Sequence, residues 1–187
     1  LFDNNGRNHI AIPSAKGDFK TPADIGFGIA YKASPKLTVT GDVAYTSWSR
    51  LDSILIELDG VDPSGAPAQN SVIYLHWKNT LRFSLGAEYW LKDYLGLRLG
   101  YYFDPSPVPD NSFTPLIPDV GDKNSYNIGT TLKFSGVELA YNFEYIGFKN
   151  RTVVTLEDNN GDGVKDNYPG SYKMSFYASH LSITYRF

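Results

Sequence analysis

"LGLRLGYYF", Leu95–Phe103, is the stretch on which the reading of this chain turns. Leu95, Leu97, Leu99, Tyr101 and Phe103 fall on one side of an extended backbone, and Gly96, Arg98, Gly100 and Tyr102 fall on the other. Side chains of a strand alternate between its two faces, so this pattern specifies a strand with one apolar and one polar side. The short "KDY" (Lys92–Tyr94) precedes it, and the proline-rich "DPSPVPDNSFTPLIPDVGDKN" (Asp104–Asn124) follows. The first suits a tight turn and the second a long loop.

Working outward, the same alternation recurs on both sides. Before it, Leu81, Phe83, Leu85, Ala87 and Tyr89 oppose Arg82, Ser84, Gly86 and Glu88. Beyond a polar Gly/Pro-bearing loop at about 59–70, Leu37, Val39, Val43 and Tyr45 oppose Thr38, Thr40, Asp42 and Thr46. The turn "SPK" (Ser34–Lys36) leads back to Ile25, Phe27, Ile29 and Tyr31, opposed by Gly26, Gly28, Ala30 and Lys32. After it, Tyr126, Ile128, Thr130 and Leu132 turn at "FSG" into Val137, Leu139, Tyr141, Phe143 and Tyr145. A loop containing "DNNGDG" returns the chain to "LSITYRF" (Leu181–Phe187), where Leu181, Ile183, Tyr185 and Phe187 oppose His180, Ser182, Thr184 and Arg186. Seven strands result, joined by connections that alternate short and long.

The chain has 187 residues, no Cys and a net charge of -3, which excludes disulfides and argues against a nucleic-acid partner held by bulk charge. It lacks an apolar run long enough for a transmembrane helix. Barrel strands, however, cross a bilayer with about 9–11 residues each and hide their hydrophobicity in alternation. A soluble antiparallel sandwich and a membrane barrel share this pattern, the first with its apolar faces on a core, the second with them in lipid. The sandwich predicts that Phe27, Phe83, Leu97 and Phe143 are covered by protein. Three features favour the barrel: almost no helical periodicity, aromatics at strand ends (Tyr31, Tyr45, Trp48, Tyr89, Trp90, Tyr101, Phe103, Tyr145, Phe187), and a strand running to the last residue.

The chain starts at Leu1 with no signal segment, as expected of a processed chain or a fragment. With short turns on the periplasmic side, the final strand runs downward to Phe187 and the first begins on the extracellular side. Seven strands in an open sheet would leave two unpaired edges in lipid. The expectation is therefore the C-terminal part of a closed barrel, with an odd number of strands before Leu1.

"TPADIGFGIAYKASPKLTVTGDVAYTSWSRL" (Thr21–Leu51), "WKNTLRFSLGAEY" (Trp77–Tyr89), "LGLRLGYYFDPSPVPD" (Leu95–Asp110) and "IPDVGDKNSYNIGTTLKF" (Ile117–Phe134) resemble the FadL/TodX family of Gram-negative outer-membrane transporters. The resemblance implies an all-β antiparallel transmembrane barrel of fourteen strands plugged by an N-terminal hatch, with residues 1–187 supplying the C-terminal strands. It also implies passive uptake of long-chain fatty acids, or of aromatic hydrocarbons in the TodX branch. On this comparison the hatch and the lateral opening lie outside the chain. The ending at Tyr185 and Phe187 is similar to the terminal signal read by barrel-assembly machinery, so the expected partners are that machinery, outer-membrane lipid and a hydrophobic solute.

A fatty acid in such a lumen needs an apolar pocket and a cation for its carboxylate. By parity Lys78, Thr80 and Arg82 face inward, and the family's carboxylate-binding lysine falls on Lys78. Arg82 and Arg98 are further candidates, although lumenal cations also form ladders with acids such as Glu88, Glu138 and Glu144. Trp48, Tyr102 and Phe176 face inward by parity as contacts for the tail, or as packing against the hatch. A general porin remains the alternative; an apolar pocket formed by these three aromatics would count against it. Asp158, Asn160, Asp162, Gly163 and Asp166 have the spacing of the first part of a calcium loop, but Pro169 replaces the twelfth ligand, and such clusters also form hairpin tips. No cofactor is otherwise expected. An enzyme is not expected: Ser179 and Ser182 flank His180 without a G-x-S-x-G elbow, and His9 and His76 have no partner at metal-ligand spacing.

Overall fold

The computed structural model describes residues 11–61, 65–117, 119–159, 161 and 163–185, with backbone alone for 11–13. In chain order the strands are β1 (Ala11–Gly17), β2 (Asp24–Ser34), β3 (Leu37–Thr46), β4 (Ser53–Val61), β5 (Ser71–Tyr74), β6 (Thr80–Lys92), β7 (Leu95–Asp104), β8 (Lys123–Phe134), β9 (Val137–Phe148), β10 (Arg151–Val153), β11 (Gly170–Tyr172) and β12 (Ser175–Tyr185). One seven-stranded sheet, ordered β12-β9-β8-β7-β6-β3-β2, contains all seven alternating segments, each antiparallel to its neighbours. Its outer strands, β2 and β12, each have one edge without a strand partner among the described residues.

Turn chemistry sets the register. Between β2 and β3, the Ser34 hydroxyl accepts the amides of Lys36 (3.2 Å) and Leu37 (3.1 Å). Between β8 and β9, Ser135 and Gly136 both have positive φ (34° and 88°), the geometry of a two-residue turn whose twist matches the strands it joins. These turns and the Lys92–Leu95 turn lie at one end of the sheet, and all three long connections lie at the other.

Among the described residues, no second protein layer covers the apolar face. Phe27 is 73% exposed, Leu99 62% and Leu181 72%, with Ile29, Leu85 and Ile183 similarly open. Phe83 and Leu97 are also exposed, so the sandwich expectation fails; Phe143 is half-buried among neighbours on the same face, Ile128 opposite it and Tyr177, whose ring centroid lies 6.1 Å away. Soluble monomers do not leave so large a contiguous apolar surface in water, whereas a barrel wall requires it. Aromatics band this face at two heights. Tyr101, Tyr126, Tyr145 and Tyr177 stand in direct register across β7, β8, β9 and β12. Tyr31, Tyr89, Phe134 and Tyr185 lie near the short turns. Trp48 and Trp90, expected in these girdles, are elsewhere: Trp48 begins a short 3-10 turn after β3, and Trp90 lies on the polar face.

The buried hydrophobic cluster sits in the long connections, not on the sheet. Val108, Phe113, Val120 and Val153 form it, with Trp77, Phe148, Tyr172 and Met174 packed around. Further strands lie outside the wall: β1, upstream of β2, pairs with β4, which pairs with β5 in the β3–β6 connection, and β10 pairs with β11 in the β9–β12 connection.

Candidate functional site

The polar face is organised in three tiers. Nearest the short turns, Arg98 Nε donates to Glu88 Oε1 at 2.7 Å and approaches Glu138 at 4.0 Å. Trp90 Nε1 donates to the other Glu88 oxygen at 3.0 Å, while Lys133 lies 3.8 Å over the Trp90 ring and 3.9 Å from Glu138. The Trp90 ring can lie flat there because position 96 is glycine: a Cβ on Gly96 would meet the ring at 3.3 Å. This is a ladder of mutually satisfied charges, and it takes up Arg98.

In the middle tier, Glu144 accepts from Ser125 at 2.6 Å and lies 3.6 Å from His180 Nε2. Tyr102 stands opposite Ser125 in the register of β7 and β8. Asn127 donates to Ser125 at 2.8 Å and accepts from Asn142 at 2.9 Å. A belt thus spans β7, β8, β9 and β12; parity alone places Glu144 and Ser125 on one face, but not in contact.

At the long-loop end, Lys123 is paired with Asp119 (2.9 Å) and Asp104 (3.5 Å). Arg82 is exposed and has no acid partner among the described residues. Lys78 is also exposed and unpaired among them, but it lies two residues before β6 rather than within the strand. Its amide donates to the carbonyl of Pro107 at 2.9 Å. Around it, Trp48 and Trp77 meet edge to face with centroids 5.2 Å apart, and Asn79 accepts the Ser49 amide at 2.9 Å.

The three aromatic candidates do not come together. Trp48 meets Trp77, Phe176 meets Phe148 at 5.5 Å, and Tyr102 stands opposite Ser125 across β7 and β8. In the 158–166 loop, Asp158 accepts the amides of Gly161 (2.7 Å) and Gly163 (2.9 Å), and Asp166 accepts that of Asn159 (2.6 Å). Aspartates that accept amides two to five residues on are common at hairpin tips. Asn160 and Asp162 lie outside the described residues, as do His9, Arg186 and Phe187. Tyr185 is described and stands on the apolar face opposite Val137.

Sequence reasoning missed Arg151, which is buried among the long connections, and Trp77, whose indole nitrogen is buried without a hydrogen-bond partner. Neither belongs to a periodic segment, so no spacing marked them.

Comparison with known proteins agrees with this geometry. A family model described as "Outer membrane protein transport protein (OMPP1/FadL/TodX)" matches residues 7–187. An outer membrane protein of Neisseria meningitidis serogroup B is 26% identical over 185 residues, covering 96% of this chain and 39% of that protein. The long-chain fatty acid transport protein of Escherichia coli K12 is 31% identical over 106 residues, covering 56% of this chain and 22% of that protein. A crystal structure of a Pseudomonas aeruginosa FadL homologue superposes with a TM-score of 0.72 at 19% identity, over 91% of this chain and 37% of that one. The chain therefore spans less than half the length of each of these proteins.

Proposed function

The chain belongs to the OMPP1/FadL/TodX family of outer-membrane transport proteins, and on that premise we propose that it forms part of a passive channel for hydrophobic carboxylates, long-chain fatty acids foremost. The family consists of transport proteins of the bacterial outer membrane, not enzymes. Closure into a barrel follows from the two unpaired edges of the seven-stranded sheet, which hydrocarbon does not tolerate. The remaining wall strands and the hatch come, in this proposal, from the part of the longer protein outside this chain. Short turns face the periplasm and long connections face outward, as in other barrels of this kind.

One observation carries the choice of substrate. Arg98, Lys123 and Lys133 on the polar face are matched by acids, whereas Arg82 and Lys78, at the long-loop end, are not. Lys32 and Lys92 are also unmatched among the described residues, but they lie at the opposite end, on β2 and β6, while Arg50, likewise unmatched, lies in the turn after β3 that begins with Trp48. Cations left without an acid beside the Trp48–Trp77 pair suit a solute with an anionic head and an apolar tail. An aromatic hydrocarbon can stack on the same rings and take a cation on its face, but it has no charged head to pair with them; the polar solutes of a general porin have no use for the rings. Lys78 is the proposed carboxylate contact, with Arg82 next along the path.

Uptake of labelled oleate and labelled toluene by cells carrying the complete protein tests this. Lys78→Ala should weaken oleate binding about 10–100-fold, the loss of a hydrogen bond to a charged group, and leave toluene entry unchanged. Undiminished oleate uptake in the variant would remove Lys78 from the path, and toluene entry without oleate entry in the parent protein would transfer the assignment to hydrocarbons.

A further inference from the structure

We infer that Arg151 is a positioning residue for Lys78, acting through the connection between β7 and β8; this rests on the reading of Lys78 as the carboxylate contact. The backbone leading to Lys78 is held in an unfavourable shape. His76 has a φ of 49°, a left-handed conformation uncommon outside glycine. From one side Asp52 restrains it: its carbonyl accepts the amides of Leu75 (2.8 Å) and His76 (3.0 Å), and its carboxylate lies 3.1 Å from His76 Nδ1. From the other side the β7–β8 connection restrains it. The Ser112 hydroxyl donates to the Leu75 carbonyl, the Pro107 carbonyl accepts the Lys78 amide, and Trp77 packs on the cluster containing Phe113.

That connection has little regular structure of its own beyond a 3-10 turn at Asp110–Ser112. Arg151, at the start of β10, supplies what it lacks. One guanidinium nitrogen donates to the Val108 carbonyl at 2.7 Å and to the Ser106 hydroxyl at 3.4 Å, so the side chain grips the residues on both sides of Pro107. The other lies 3.6 Å from Asp110, and the group stacks 4.9 Å over Phe113, which is fully buried. Only 12% of the Arg151 side chain is exposed, so water replaces none of these contacts cheaply. Proline on this segment fixes φ and stiffens it, so a displacement at Ser106 or Val108 carries to the carbonyl that holds Lys78. A site holds its geometry only when such supporting contacts lock it.

The test uses the complete protein in detergent with two probes of equal chain length, oleate and oleyl alcohol. Arg151→Ala should speed hydrogen exchange at the Lys78 amide about tenfold or more and lower oleate affinity about 3–10-fold, leaving oleyl alcohol within about 2-fold. Combined with Lys78→Ala, it should cause no further loss of oleate, because the two residues act through one contact. Arg151→Gln, which keeps a donor for Val108, should recover part of the effect and guards against gross loop collapse. Unchanged Lys78 exchange with unchanged oleate preference would overturn the inference, and so would equal losses for both probes, which mark a purely structural arginine. If Lys78→Ala itself leaves oleate preference intact, the carboxylate reading fails, and the exchange rate at Lys78 still decides whether Arg151 positions that segment.

Discussion

Arg98 donates to Glu88 at 2.7 Å and approaches Glu138 at 4.0 Å, so its charge is balanced within the wall. Removing it leaves Glu88 with Trp90 as its remaining donor. Because these groups are partly open to solvent, Arg98→Ala should lower stability by only about 1 kcal/mol, read as a shifted midpoint of urea unfolding, and should leave oleate uptake at the parent level. A deficit in uptake with unaltered stability would make Arg98 a substrate contact after all. At this scale the sequence was a partial guide. Parity placed Arg82, Arg98 and Tyr102 on the polar face correctly, because a strand's period of two admits no third direction. It could not say which cation had an acid opposite, since that depends on the offset between neighbouring strands. Lys78 sits before β6, where parity no longer applies.

Strand β7 shows what an element contributes. Among the described residues no protein layer covers its apolar positions, and in a membrane wall their burial is supplied by lipid tails. Leu99→Arg, near the middle of the strand, should cost about 2–4 kcal/mol in folding into lipid vesicles, the penalty of a cation at the bilayer midplane. A loss below the resolution of the folding titration would place Leu99 outside the hydrocarbon. All seven wall strands were legible in the sequence because each is long and one-sided. The strands of the long connections were not. In β4, Ile54, Ile56 and Leu58 do alternate, but its partners are β1, 36 or more residues upstream, and the four-residue β5. β10 and β11 have three residues each, too few for a period to register.

For the whole molecule, the greasy side of the sheet and its charged side must meet different surroundings. The small buried cluster in the long connections cannot serve as the core of a water-soluble domain, because none of its members lies beneath the apolar sheet face. Both aromatic bands, the uncovered face between them and the charged and polar tiers behind it make sense together only if the sheet is a wall between lipid and an aqueous passage. Residues 1–187 contain no cysteine, so cysteines introduced singly along Leu95–Phe103 can carry nitroxide labels in the complete protein, with any cysteine outside this chain replaced, after reconstitution in bilayers. Collision rates with oxygen and with a water-soluble nickel chelate then report lipid and aqueous exposure residue by residue. Oxygen maxima are expected at Leu97, Leu99 and Tyr101 and nickel maxima at Arg98, Gly100 and Tyr102; nickel access at the leucines, or no alternation at all, would contradict a wall between lipid and water.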